Sequence, residues 1–217
     1  MIARLRSIGI PTITVESVKV ARKDFIAGEP RNLFYEVAVE LIDLASRKMT
    51  KVSVAQALAV LLQTWNVSFY RFRKGFHAED LAIIEALVKA HFAAIQEYRQ
   101  RPIASFSSGE EHAIGSLFAS FKQGLGAVGA AKCLHLLAPA FFPLWDRAIA
   151  KAYHVKLDQQ GYLTFMHITK EQYRVLTEKG APWPDLLKAI DEYNYCTYTI
   201  KTKLLRIQSL ANASERI

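Results

Sequence analysis

Along nearly the whole chain, apolar side chains recur every three or four residues, and nowhere do they alternate long enough to make a strand. Leu33, Phe34, Val37, Leu41 and Leu44 follow one such face, and Val54, Ala57, Leu58, Leu61, Leu62 and Trp65 follow another. Leu81, Ile84, Leu87, Val88, His91, Phe92 and Ile95 mark a long helix from Ala78 to Tyr98, and Ile114, Leu117, Phe118 and Phe121 mark a further one. Start signals sit where the pattern begins. Thr14, Ser53 and Ser108 are suited to capping free backbone N–H groups, and Pro30 suits a first helical turn. Gly28-Glu29-Pro30, the stretch ending at Pro102, and Gly180-Ala181-Pro182-Trp183-Pro184 break the pattern. His154 to Phe165 reads as irregular, Thr169 as the start of a helix, and Asp185 as the start of the last long one. The expected fold is all-α, with about nine or ten helices on short connections.

The chain has 217 residues, enough for one large domain or two small lobes. Apolar residues make up 51%, with twelve Phe, nine Tyr and three Trp, which argues for a packed core and against disorder. Cys133 and Cys196 are too few for a disulfide framework or an iron–sulfur cluster, and the histidines show no metal-ligand spacing. The first residues lack the apolar run of a signal peptide, and no segment approaches the length of a membrane span. A cytoplasmic protein with no membrane partner and no metal is therefore expected. The formal net charge of +8 points to a polyanion, nucleic acid first, although many basic proteins bind none.

The stretch most suggestive of chemistry is 124–149, GLGAVGAAKCLHLLAPAFFPLWDRAI. Gly124, Gly126 and Gly129 interrupt two helical patterns as a tight hairpin does. Amides at the start of the second helix favour a phosphate, with Lys122 and Lys132 on either side. The alternative is a plain helix end followed by a turn. Asp146 opens another helix, where the dipole favours its anionic form. It reads either as a reactive carboxylate or as an N-cap with Trp145 and Ala150 forming a staple.

This stretch resembles the helix-hairpin-helix DNA glycosylases. Leu125-Gly126-Ala127-Val128-Gly129 stands where that family has a Leu-Pro-Gly-Val-Gly hairpin, and Pro143-Leu144-Trp145-Asp146 stands where it has a proline followed by the catalytic aspartate. Asp146-Arg147-Ala148-Ile149-Ala150-Lys151 keeps an Asp-x-x-Ile-x-basic pattern. Leu61-Leu62-Gln63-Thr64, continued by Phe69 to Phe72, is similar to the segment whose glutamine fills the hole left by a flipped base. The resemblance covers about residues 50–155. It departs from the family in the hairpin, where Gly126 and Ala127 replace the proline and first glycine. It also departs at the lysine, since the family's position falls on Ala131 and Lys132 is one further on.

The resemblance implies a two-lobed helical bundle forming a single domain over 1–217. One lobe spans 30–110 plus the C-terminal helices, and the hairpin lobe spans 110–155. It implies a monomer acting on double-stranded DNA, with no cofactor beyond a monovalent cation that the hairpin carbonyls could hold. Asp146 then stabilises positive charge on the sugar as an N-glycosidic bond breaks. Lys132, placed in the first turn of its helix, attacks C1′ as a neutral amine with strand cleavage through a Schiff base, or else contacts phosphate. Gln63, Trp65, Asn66, His135 and Trp145 are candidates for the base pocket or the plug. Lys122, Gly124, Gly126, Val128, Gly129, Arg71 and Arg73 are candidates for holding the DNA backbone. The expected function is excision of a modified or damaged base, either a hypermodified phage base in antiviral defence or an oxidised base in repair. A non-catalytic DNA-binding protein using the same hairpin is the main alternative, and a helical protein-interaction domain with an incidental basic face is a third.

Overall fold

The computed structural model describes residues 12–200, and within them every regular element is helical. In order these are α1 (Val15–Gly28), α2 (Asn32–Ser46), α3 (Val54–Trp65), α4 (Val67–Phe72), α5 (Ala78–Arg99), α6 (Glu111–Leu137), α7 (Arg147–Ala152), α8 (Gln159–Glu178) and α9 (Leu186–Asn194). Short 3₁₀ turns at Ile103–Ser105 and Ser108–Glu110 precede α6, and α9 runs on into a π turn at Tyr195–Ile200. The all-α reading of the sequence holds.

Local chemistry explains most of the boundaries. The Thr14 hydroxyl accepts from the Ser17 N–H, and the Ser53 hydroxyl accepts from the Gln56 N–H, each inside a reciprocal capping box. Asp158 caps α8 by accepting from the Gly161 N–H at 2.8 Å. That cap starts α8 inside the stretch expected to be irregular and leaves Thr169 buried in the middle of a helix rather than at its start. Ser107, not Ser108, receives the capping carboxylate of Glu110. Pro30 lies just before α2, whose N-cap is Arg31.

A larger correction concerns α2. Leu33, Phe34 and Val37 are exposed, and the helix instead buries Ala38 and Ile42, with Tyr35, Val39 and, of the expected face, Leu41 packed against the core. The small Ala38 lets α2 lie close to α3, and the Tyr35 hydroxyl reaches His135 at 2.9 Å, which fixes the rotation. Periodicity alone offers both faces, because α2 is apolar on more than one side.

Two hydrophobic clusters hold the helices. The larger draws on both sides of residue 110, from Ile42 and Leu58 through Phe118 and Leu134 to Trp145 and Phe165. The smaller joins α1 to the end of α8 and to α9 through Val18, Leu176, Leu186, Ile190 and Tyr193.

The glycine stretch is not a looped hairpin. Gly126 alone leaves helical geometry (φ 71°, ψ 165°) and divides α6 into Glu111–Leu125 and Ala127–Leu137. Its positive φ is strained for any residue with a Cβ. The neighbouring glycines serve close packing. A Cβ on Gly124 meets Ile83 of α5 at 2.6 Å, and one on Gly129 meets Asn66 at 3.0 Å.

Candidate active site

The second half of α6 carries Lys132 into the protein interior. It is 8% exposed, and its ammonium group donates to the carbonyl of Trp65 at the end of α3. Burial brings the amine down to about 8, against the pull of the Asp146 and Asp191 carboxylates, while Arg31 adds to the lowering. Lys132 is the sixth residue after Gly126, so it lies in the second turn of its half-helix and not the first. Desolvation, not the helix dipole, favours its neutral form.

Asp146 is the N-cap of α7. One oxygen accepts from the Ile149 N–H at 2.9 Å, and the other accepts from the Thr199 hydroxyl at 2.7 Å. The capping role and a reactive role are compatible, since each bonded oxygen keeps a second lone pair. The π turn after α9 matters here. An extra residue per turn is how such segments redirect a side chain, and Thr199 reaches Asp146 from inside this one.

Trp145 corrects an expectation. It is 1% exposed, its ring packed among Phe118, Tyr162 and Phe165, so it cannot stack on a base. Its indole N–H instead donates to the carbonyl of Ala127 at 3.2 Å. This ties the residue next to Asp146 to the first turn of the half-helix bearing Lys132. His135 is a second correction. It is fully buried, its Nδ1 donates to the Phe142 carbonyl at 2.8 Å, and its Nε2 accepts from the Tyr35 hydroxyl at 2.9 Å. No nitrogen remains to read a base, and burial takes the imidazole down to about 3.

Trp65 forms a wall of the site. It stacks on Tyr35 at 5.6 Å, and its indole donates to the Arg31 carbonyl at 2.8 Å. Asn66 follows it, buried, with an Nδ2 that has no partner among the described residues. Gln63 is exposed on α3. Beside Trp65, Arg31 donates to Glu29 and to the Tyr195 hydroxyl, which in turn donates to Glu29 at 2.6 Å. Burial raises the Glu29 carboxyl, but these bonds outweigh it and hold it at about 2.

Among the candidates for the DNA backbone, Gly129 is buried against α3 and Gly124 packs on α5, so neither is an open amide edge. Lys122, Gly126 and Val128 are half-exposed. Arg71 is exposed, whereas Arg73 pairs with the buried Asp80 at 2.8 Å and lies over the Phe69 ring.

One part of the site was not anticipated. On α9, Lys188 is buried against Asp191 at 3.4 Å and Glu192 at 3.1 Å, with its ammonium 4.3 Å from the centre of the Phe25 ring and 5.0 Å from that of Tyr35. Arg22 closes the network through Glu192 at 2.9 Å and Asp185 at 2.8 Å. Burial raises the Asp191 carboxyl, opposed by Lys188. The sequence signal was a lysine with carboxylates three and four residues on, inside the otherwise apolar run Leu186-Leu187-Lys188-Ala189-Ile190.

Among the described residues, no three His, Cys, Asp or Glu side chains converge as a metal site, and no helix is long and apolar enough to cross a membrane. In comparisons with known proteins, no protein-family model, no curated protein and no solved structure matches the chain.

Proposed function

We propose that the protein is a DNA N-glycosylase acting on a base flipped out of double-stranded DNA, with Asp146 and Lys132 as its catalytic pair. One observation carries this reading. A buried lysine whose amine is brought down to about 8 feels, as its strongest charged neighbour, a carboxylate held by a helix N-terminus and a threonine. On this reading the bond between C1′ and the base nitrogen breaks with its electron pair leaving on the base. Positive charge develops on the sugar, and the Asp146 carboxylate stabilises it. The neutral Lys132 amine bonds to C1′ and gives up a proton, which the departing base accepts. Ring opening then yields an imine, and loss of a C2′ proton with expulsion of the 3′ phosphate cuts the strand. Where water takes the place of the amine, Asp146 accepts its proton and an abasic site is the product.

Trp65, whose carbonyl holds the amine, and Asn66 and Gln63 near it in the chain are the candidates for holding the base and filling its place. Lys122, Gly126, Val128 and Arg71 are the candidates for the phosphate backbone, with any monovalent cation at the Gly126 joint. We assign the molecule as a monomer. A hypermodified phage base and an oxidised base are the two substrate classes this reading admits. Base release from duplexes of differing modification tests it, and Asp146→Asn must cut whatever release the native protein gives by about 10²–10³-fold. Retention of full release by that variant removes Asp146 from the chemistry.

A second reading, DNA binding without excision, is favoured by the bond from Lys132 to the Trp65 carbonyl, which occupies the amine. It requires salt-sensitive duplex binding with no base released from any of these substrates.

A further inference from the structure

α7 has six residues, too few to hold a direction by its own backbone bonds, so the aim of the carboxylate at its start depends on what ties the helix down. The approach to Asp146 is fixed first. Besides the Trp145 indole, the Tyr162 hydroxyl of α8 donates to the carbonyl of Pro143 at 3.0 Å. The far end of α7 is held by another tyrosine. Tyr153, its C-cap, is 1% exposed, and the hydroxyl donates to Asn194 Oδ1 at 2.6 Å and accepts from Gln172 Nε2 of α8 at 2.9 Å. The ring stands edge-on to Phe165 and Tyr198, with centres 5.3 and 5.7 Å apart.

Asn194 is the last residue of α9, immediately before the π turn that carries Thr199. The two segments are therefore tied at both ends. Asp146 at the start of α7 meets Thr199 late in the turn, and Tyr153 at the end of α7 meets Asn194 just before it. A π turn holds one residue more than α geometry needs. Relaxed to α geometry, it would shift by one residue and carry Thr199 about 100° round the helix axis, away from Asp146. The bond to Asn194 anchors the turn where it begins and so bears on which form persists. This polar cluster costs stability. Gln172 Oε1, Asn194 Nδ2 and Thr169 Oγ1 are buried with no hydrogen-bond partner among the described residues. Apolar side chains would cost less there, and fixing one register among several is the best-attested use of polar groups in a core.

We infer that Tyr153 is a positioning residue for the reaction: with Asn194 and Gln172 it holds α7 and the π turn in the register that lets Thr199 and the Ile149 amide aim the Asp146 carboxylate. This rests on the reading of Asp146 as catalytic. The Tyr153 hydroxyl bonds to neither Asp146 nor Lys132, so it acts through the turn. Hydrogen bonds weaken steeply as their angle opens, and a small slip of the turn is enough to lose the one from Thr199.

Amide hydrogen exchange on the full chain, followed by NMR, tests this without DNA. The Ile149 N–H is capped by Asp146, so its exchange reports the aim of the carboxylate. Tyr153→Phe, which keeps the ring, and Asn194→Leu are each expected to speed that exchange about tenfold while the amides of α3 keep theirs. Unchanged exchange at Ile149 in both variants overturns the inference. An equal rise throughout α3 also overturns it, because the tyrosine then supports only the fold as a whole. Base release under single-turnover conditions, from duplexes carrying 8-oxoguanine and 5-hydroxymethylcytosine, gives the second readout. Tyr153→Phe should release base about fivefold more slowly at an unchanged half-saturating duplex concentration. It should add nothing further in a Thr199→Val or Asp146→Asn background. Losses that multiply across those backgrounds overturn the inference and leave the glycosylase reading intact. A native protein that releases no base counts against the glycosylase reading, and exchange at Ile149 then still decides whether Tyr153 positions Asp146.

Discussion

Lys132 and Lys188 are both lysines buried on apolar helices, 8% and 4% exposed, and both lie near Trp65. Their surroundings differ in kind. Lys188 has two carboxylates within 3.4 Å and the faces of aromatic rings around it, so its charge is matched in place. Lys132 donates to one backbone carbonyl, and the carboxylate that acts on it most strongly, Asp146, is already engaged by the Ile149 amide and the Thr199 hydroxyl. Number and placement of partners, rather than burial, distinguish the two lysines.

Four measurements press on that contrast. The largest effect is expected from Asp146→Asn. If the carboxylate faces charge developing on the sugar, base release should fall by about 10²–10³-fold, as when a group aimed at transition-state charge is removed, with little change in melting temperature because Asn still caps α7. Lys188→Met should behave in the opposite way. It strands Asp191 and leaves Glu192 to Arg22 alone, and denaturant titration should show a loss of about 3 kcal/mol, the scale for breaking a buried ion pair. Per folded molecule, however, borohydride trapping on an abasic duplex should persist. Trapping lost in Lys188→Met and kept in Lys132→Ala would exchange the two assignments.

The pH dependence comes next. With Lys132 at about 8, its neutral fraction grows tenfold per unit up to that pH, so trapping should climb and then level near 8. The same depression has a stability consequence. The unfolded lysine binds a proton that the folded one lacks between about 8 and its unperturbed 10.5, so stability should rise with pH across that window and be independent of this group below it. Lys132→Met should remove both features. His135 gives the acid counterpart. Folded at about 3 against an unperturbed 6.5, it refuses a proton that the unfolded chain accepts. Stability should then fall as pH drops through that interval, by up to about 1.4 kcal/mol per unit, and His135→Gln should flatten the slope. The smallest effect is expected from Thr199→Val, which frees one oxygen of Asp146. A hydrogen bond to a charged group is worth about 1.5–3 kcal/mol at most sites, and a roughly fivefold fall in base release is expected here because the Ile149 amide remains.

Asp146 and Lys132 were singled out from the sequence, one at a proline-bounded start of a helix and the other just past the glycine stretch, one residue beyond the position the resemblance implies. The same reading placed Trp145 and His135 beside a base, and both proved to be core. An aromatic or imidazole ring on a helix fits equally well inward or at a cleft, and only the neighbours decide. For His135 these are Tyr35 and Phe142, at separations of 100 and 7 residues. Thr199 went unnoticed because its relevance depends on the π turn folding back over α7, and Lys188 and Asp191 because α9 is buried by packing on distant helices, contacts that no local spacing encodes.

The sequence by itself determined that this chain is helical and where most of its helices begin. These follow from periodicity and from the hydrogen-bonding capacity of Thr, Ser and Asp at helix starts. Tertiary structure alone decided which face of α2 is buried, that Gly126 is a one-residue joint rather than a looped hairpin, and which of two buried lysines has carboxylates as its partners. Each of those is settled by what lies across the interface: Tyr35 against His135, Phe69 against Gly126, and two carboxylates against Lys188 but a single carbonyl against Lys132.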